Sequence, residues 1–164
     1  MSQSPENIQG ALIMKTTHQM KIGIIGMGYV GLPLAVEFAR KNIKVTGFEI
    51  DSKKVSALKK GISYIEDVPS SLIEPFVQSG ILSITTNFHK LRTVNAIIIC
   101  VPTPLRKTKD PDISYIISSV KKISANLKRG HIIILESTTY PGTTREIVLP
   151  ILEQNGKKVG KDFN

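Results

Sequence analysis

Three glycines stand at a spacing that suits the binding of a phosphate-containing ligand. Gly26, Gly28 and Gly31 follow the pattern G-x-G-x-x-G within "KIGIIGMGYVGLPLAVEF", residues 21–38. In this pattern the first glycine makes a tight turn, the second admits a pyrophosphate and the third lets a helix pack closely on a strand. A plainer alternative is that the glycines only relieve steric strain in a strand-to-helix turn.

An acidic side chain further along favours the ligand-binding interpretation. Glu49 follows Gly31 by about 20 residues, at the end of the next predicted strand, where a carboxylate would accept hydrogen bonds from the adenosine ribose hydroxyls of a dinucleotide. Asp51 competes for this role. We prefer Glu49, because Asp51 more naturally caps a helix that starts near Lys53.

The elements around these residues alternate between strand and helix. Residues 21–25 form an apolar run typical of a strand buried on both faces, and the apolar residues after Gly31 recur at helical spacing. Such alternation predicts an α/β fold, Rossmann-like and doubly wound, with a mainly parallel sheet and helices on both faces. Further strands are predicted at 45–50, 82–85, 96–101 and 132–136, and further helices at 53–60, 70–80, 113–127 and 143–153.

Two later loops carry hydroxyl groups directly after predicted strands. They are "CVPTPLRKTKDPD" and "ESTTYPGTT", which contain Thr103 and Thr138. Ligands of open parallel sheets bind beyond the carboxyl ends of the strands, so we expect both threonines to face a cofactor cleft. The alternative is ordinary turn chemistry, since Ser, Thr and Pro often terminate strands.

The charge of the chain raises the possibility of a nucleic-acid partner. The formal net charge is +9, from 22 Lys and Arg against 13 Asp and Glu. The basic residues are spread over the ends and outer faces of several predicted helices with little aromatic interleaving, so a solvated surface is favoured over a nucleic-acid face. A positive field would still assist an anionic small molecule.

Other classes of site and location are also disfavoured. No apolar run reaches the roughly 20 residues of a membrane span, and the single cysteine, Cys100, permits no internal disulfide. We therefore expect a cytoplasmic protein. His18, His89 and His131 do not have the spacing of metal ligands, so no metal site is predicted.

Six ordered motifs carry a resemblance to a known family. "GMGYVGLP", "FEIDSKKV", "YIEDVP", "CVPTPL", "PDISYI" and "ESTTYPGTT" resemble the amino-terminal, NAD-binding domain of the UDP-glucose/GDP-mannose dehydrogenase family, most closely its bacterial UDP-N-acetyl-D-glucosamine 6-dehydrogenase branch. The resemblance covers about residues 20–164. It implies oxidation of a sugar C6 alcohol to a carboxylate with two NAD⁺, on a UDP-N-acetylhexosamine substrate, for surface polysaccharides.

The resemblance also implies roles for individual residues. Glu49 stands where relatives usually have Asp and would be the ribose ligand, and Lys54 would be a cationic neighbour of the adenosine end. Thr103 and Thr138 would line the nicotinamide side. The full set of cofactor-binding residues implied is Gly26, Gly28, Tyr29, Val30, Gly31, Glu49, Lys54, Val101, Pro102, Thr103 and Thr138.

We expect residues 1–20 to be an extension and residues 21–164 to be an NAD-binding domain cut from a longer protein. The central helix, the substrate domain and the nucleophilic cysteine of the family would lie beyond residue 164, because Cys100 ends an apolar run and suits a buried position. The parent would be a homodimer or larger, and the isolated piece could be an inactive monomer. Two alternatives stay open: a β-hydroxyacid-type dehydrogenase, and a module that senses NAD without catalysis.

Overall fold

The computed structural model describes residues 20–106 and 110–164 of the chain, which contain a single parallel sheet. The expected extension, residues 1–20, therefore lies outside the described residues except for Met20. The strands are β1 (Lys21–Ile25), β2 (Lys44–Phe48), β3 (Leu82–Thr85), β4 (Ala96–Ile99) and β5 (Ile132–Leu135). The α-helices are α1 (Gly31–Arg40), α2 (Ser52–Lys59), α3 (Ser70–Gln78), α4 (Ser114–Asn126) and α5 (Leu149–Glu153).

The strand order places a cleft at a defined point of the sheet. The order is β3-β2-β1-β4-β5, and every neighbouring pair is parallel. The chain winds outward from β1 to β3 and then returns to add β4 and β5 on the other side. Such a reversal leaves a crevice beyond the carboxyl ends of β1 and β4. The predicted doubly wound, parallel α/β fold is confirmed.

Helices cover both faces of the sheet because its strands are apolar on both. One buried cluster joins β1, β2 and β3 to α1, α2 and α3, and includes Ile24, Leu32 and Leu58. The other joins β4 to α4 and α5, and includes Ile97 and Ile116. Each large aliphatic side chain buried in this way contributes about 1.5–3 kcal/mol. No helix of the described residues has both the length and the apolar character needed to span a membrane.

Two local features differ from the sequence prediction. A 3-10 helix, Phe88–Thr93, precedes β4 and was not predicted; Asn87 begins it by accepting a hydrogen bond from His89 N at 3.0 Å. The last helix starts with a π-helical turn, Thr144–Val148, before α5. Pro150 explains the turn, because proline has no N–H to donate to the carbonyl four residues back and its ring crowds that carbonyl.

The outer side of β5 is only partly paired. Ile133 N donates to Asn164 O at 2.7 Å, and Asn164 N donates to His131 O at 2.9 Å. No other described strand pairs with this side of β5, which is the end of the sheet. Ile132 and Ile134 are both exposed there.

Candidate functional site

The glycine turn joins β1 to α1 under tight steric constraints. Gly26 has φ +92°, and a Cβ built on it would lie 2.5 Å from the carbonyl oxygen of Cys100. A Cβ on Gly31 would overlap the carbonyl oxygen of Gly26. The first glycine is therefore required by the turn, and the last by the close approach of α1 to β1, as the motif predicts.

Gly28 has a different explanation from its two neighbours in the motif. A Cβ built on Gly28 would meet no atom within 4 Å, and its φ lies outside the left-handed region. Neither strain nor packing within the described residues thus requires glycine here, and the space that a side chain would fill opens into the cleft. This is the arrangement that fits a diphosphate approaching the backbone.

The start of α1 is electrically suited to an anion. Val30 is the N-cap and makes no side-chain cap hydrogen bond, and the first turn contains no acidic residue. Leu32 N donates to Gly28 O at 3.0 Å, but the N–H groups of Tyr29 and Val30 have no partner within residues 20–106 and 110–164. Unpaired N–H groups and the helix dipole together attract negative charge.

Glu49 lies beside this turn, immediately after β2. One carboxylate oxygen, Oε1, accepts hydrogen bonds from Ile50 N at 2.8 Å and Asp51 N at 3.2 Å. The other, Oε2, accepts from Met27 N in the glycine turn at 3.2 Å. Each oxygen has two lone pairs, so Oε1 is saturated and Oε2 retains capacity for one ribose hydroxyl.

Asp51 has the structural role that the sequence predicted for it. Its Oδ1 accepts hydrogen bonds from Lys53 N at 2.8 Å and Lys54 N at 3.3 Å, which caps α2. Two of the orphan donors of that helix are satisfied in this way. The carboxylate that adjoins the glycine turn is therefore that of Glu49.

The loop between α2 and α3 adds an aromatic residue that was not predicted for the site. The Tyr64 hydroxyl donates to Met27 O at 2.6 Å, and Lys54 Nζ lies 5.3 Å from the centroid of the Tyr64 ring. Burial, and then the charges of Glu49 and Asp51, raise the pKa of Tyr64, so the phenol remains a donor at neutral pH. The "YIEDVP" motif contains this residue but gives no sign of the contact.

These groups line a cleft of about 770 Å³ at the carboxyl ends of β1, β2 and β4. It is large enough for a cofactor, given that ligand pockets span about 300–1,000 Å³. Gly31 lies beneath the turn and is not a lining residue. Thr103 and Thr138 are not lining residues either, so the nicotinamide roles of these two threonines stay predictions. The predicted residues that line the cleft are Gly26, Gly28, Tyr29, Val30, Glu49, Lys54, Val101 and Pro102.

The opposite wall of the cleft comes from elements that sequence reasoning did not assign to it. Phe88 of the 3-10 helix packs on Phe48 with ring centroids 5.5 Å apart, and Lys122 Nζ lies 4.1 Å from the Phe88 centroid. One face of α4 completes this wall. Its lining residues are Tyr115, Ser118, Ser119 and Lys122, whose helical spacing was the available signal.

Cys100 also borders the cleft, but its environment lowers the reactivity of the thiol. Its side chain is 8% exposed, and burial, reinforced by the charge of Glu136, raises its pKa to about 11. Because the thiolate is the nucleophilic form, Cys100 is a poor nucleophile. Within the described residues, no group of three or more His, Cys, Asp or Glu side chains could hold a metal ion.

The sequence model of the UDP-glucose/GDP-mannose dehydrogenase family, NAD binding domain, matches residues 20–164. The chain belongs to this family. It is 39% identical over 145 residues to the UDP-N-acetyl-D-glucosamine 6-dehydrogenase of Pseudomonas aeruginosa, covering 88% of this chain and 33% of that protein. It is 34% identical over 145 residues to the UDP-N-acetyl-D-mannosamine dehydrogenase of Pyrococcus horikoshii, covering 88% and 34%.

Solved structures agree with this membership. The ternary complex of GDP-mannose dehydrogenase from Pseudomonas aeruginosa superposes with a TM-score of 0.84 at 34% identity, covering 88% of this chain and 35% of that chain. The chain thus spans about a third of the length of the relatives that it matches. Membership of the family identifies the cofactor as NAD and the fold as that of a nucleotide-sugar dehydrogenase NAD-binding domain.

Proposed function

We propose that this chain is the NAD-binding unit of a 6-dehydrogenase that oxidises the C6 hydroxyl of a UDP-N-acetylhexosamine to the uronic acid. UDP-N-acetylglucosamine is the substrate that we favour, with N-acetylmannosamine and N-acetylgalactosamine derivatives as its close competitors. The Pseudomonas aeruginosa relative named for the glucosamine substrate, at 39% identity, supports this choice. The product would supply surface polysaccharide synthesis.

Gly28 is the observation that carries the proposal of a dinucleotide site. A Cβ there would be tolerated by the protein itself, yet the position is glycine and faces the cleft. A ligand with a diphosphate group, approaching to within contact of the backbone, accounts for both facts. The neighbouring N–H groups of Tyr29 and Val30 would donate to its oxygens.

The remaining cleft residues would hold the other parts of NAD. Glu49 would accept from an adenosine ribose hydroxyl and Lys54 would add positive charge at that end. Val101, Pro102, Thr103 and Thr138 would border the nicotinamide ring. Bound NAD⁺ supplies a hydride acceptor, and the contribution of these residues is to bind and orient it.

The catalytic residues would lie outside this chain. Cys100 is buried beside the cleft with a raised pKa, so we propose that the nucleophilic cysteine belongs to a later segment of a longer protein, together with the substrate domain. In this view residues 21–164 form the NAD-binding domain and residues 1–20 an extension. The longer protein would be a cytoplasmic homodimer or larger assembly, without a nucleic-acid or membrane partner.

The test is to compare binding and turnover in the same preparations. Calorimetry should detect NAD binding by the 164-residue chain, and absorbance should detect no NADH when a UDP-N-acetylhexosamine is added. The complete reading frame should form NADH, fastest with UDP-N-acetylglucosamine among the three epimers and GDP-mannose. Turnover by the 164-residue chain would contradict the division of labour, and NAD binding without turnover by the complete protein would favour an NAD sensor.

A further inference from the structure

The backbone of Met27, between the first two glycines of the turn, is held from two sides of the cleft. Met27 N–H donates to Glu49 Oε2 at 3.2 Å, and Met27 C=O accepts from the Tyr64 hydroxyl at 2.6 Å. The Met27 side chain is fully buried in the core. Both polar groups of this residue are thus fixed by side chains from outside the glycine turn, one after β2 and one after α2.

The contact to Tyr64 controls more than one carbonyl group. A peptide unit is planar, and its C=O and N–H point in opposite directions. Fixing Met27 C=O therefore fixes the direction of Gly28 N–H, at the point where the chain continues into Tyr29 and Val30. Gly28 has no side chain to restrain it, and no atom lies within 4 Å of its Cβ position. The turn thus relies on contacts such as that from Tyr64 to stay in one conformation.

We propose that Tyr64 is a positioning residue of the NAD site: its hydroxyl holds the Met27–Gly28 peptide in the orientation that receives the diphosphate. This inference rests on the proposed use of the glycine turn by that group. A phenol suits the task because its rigid ring reaches from the α2–α3 loop, with only two rotatable bonds to order. The same ring lies 5.3 Å from Lys54 Nζ and thereby steadies a cation at this wall of the cleft.

Tyr64→Phe removes the hydroxyl and keeps the ring, so it isolates the contact to Met27. Calorimetry with the 164-residue chain should compare NAD, ADP and adenosine as ligands. We expect NAD and ADP to bind about three- to tenfold more weakly to the variant, the range for loss of one hydrogen bond, while adenosine affinity stays within about twofold. A purely structural role for Tyr64 would give no such difference between ligands with and without the diphosphate.

Amide hydrogen exchange without cofactor provides the second measurement. In Tyr64→Phe the amides of Met27 and Leu32, which donate to Glu49 Oε2 and Gly28 O, should exchange faster than in the unmodified chain, while those of β4 should not change. Tyr140→Phe is the matched control, because Tyr140 is also partly exposed but does not line the cleft. It should change neither the ligand affinities nor the exchange.

The outcomes separate this inference from the proposed function. If the unmodified chain failed to bind NAD, the proposed function itself would be wrong. If that chain bound NAD and Tyr64→Phe bound NAD, ADP and adenosine with unchanged affinity, the role of Tyr64 would be overturned. Tyr64→Leu, which removes ring and hydroxyl together, should weaken ADP further than Tyr64→Phe; equal binding to the unmodified chain would also contradict the inference.

Discussion

The carboxylate of Glu49 and the backbone N–H of Met27 are 3.2 Å apart and hydrogen-bonded, which ties the end of β2 to the glycine turn. The carboxylate therefore lies beside the position that the adenosine ribose of a dinucleotide bound at that turn would occupy. A 2′-phosphate in the same place would meet a negative charge, which Lys54 only partly offsets.

We predict that the chain prefers NAD to NADP and that Glu49→Gln reduces this preference. A hydrogen bond to a charged group contributes about 1.5–3 kcal/mol, so NAD affinity should fall by at least about tenfold in the variant. Asp51→Asn removes a charge nearby and keeps a good helix cap, so it should retain the preference. Titration of each variant with both cofactors is the measurement, and equal affinities in the unmodified chain would refute the role of Glu49.

Gly28 and Gly31 should respond to substitution in opposite ways. Gly28→Val has room within the protein, so circular dichroism should stay normal while NAD binding is lost to the side chain in the diphosphate space. Gly31→Ala overlaps the Gly26 carbonyl, so it should lower the free energy of unfolding by about 1–3 kcal/mol or more. Denaturant unfolding and calorimetry distinguish the two effects. Normal NAD binding by Gly28→Val would mean that the diphosphate binds elsewhere.

The Cys100 thiol should react slowly with alkylating reagents. Its pKa is raised to about 11 from an ordinary value of 9.0, mainly by burial. At pH 8 the thiolate fraction is then about 100-fold smaller than in the unfolded chain, and iodoacetamide should label the folded chain at least that much more slowly. NAD should slow labelling further, because Cys100 borders the cleft. Labelling of the folded chain at the rate of the denatured chain would contradict this.

The raised pKa of Cys100 also makes the stability of the chain depend on pH. Above pH 9.0 the unfolded state loses the thiol proton while the folded state keeps it. Ionisation therefore stabilises the unfolded state relative to the folded state. This contribution to stability is complete below pH 9.0 and is lost as the pH rises toward about 11. Cys100→Ala should show a smaller loss over this range in denaturant titrations.

His131 should make the chain sensitive to mild acid. It is fully buried, and burial, followed by the charge of Lys128, lowers its pKa below 6.5. The unfolded state takes up a proton below pH 6.5 and the folded state does not, so stability is retained above this value and falls as the pH decreases. The free energy of unfolding should therefore drop as the pH falls below 6.5, and drop less in His131→Gln. His89→Gln, at an exposed position, should behave like the unmodified chain.

Local sequence patterns predicted the elements well where one physical rule dominated. The strand at 82–85 follows from the alternation of its residues. The cap at Asp51 follows from a side chain that can accept hydrogen bonds, and the helix end at Gly80 follows from the left-handed conformation that glycine adopts. The π-helical turn before α5 was missed because the effect of Pro150 on its preceding turn competes with a strong helical pattern. The 3-10 helix Phe88–Thr93 carries no periodicity long enough to detect.

The candidate site divides along similar lines. The glycine turn and Glu49 are contiguous in sequence with the strands that position them, so spacing alone located them. Tyr64 reaches the cleft from a loop and Phe88 from a short 3-10 helix. The positions of both segments depend on tertiary packing, which no local pattern encodes. Thr103 and Thr138 follow β4 and β5 as predicted, but following a strand does not bring a side chain into the lining of the cleft.

The half-paired outer side of β5 has a consequence for handling the chain in solution. Backbone groups at an open strand edge, next to the exposed Ile132 and Ile134, can template β-pairing between copies. Preparations limited to these 164 residues should therefore self-associate as concentration rises, and Ile134→Lys should suppress this by placing a charge beside the edge. Light scattering with and without the substitution would measure this self-association. It would also show whether the unmodified chain is monodisperse at the concentrations used in ligand titrations.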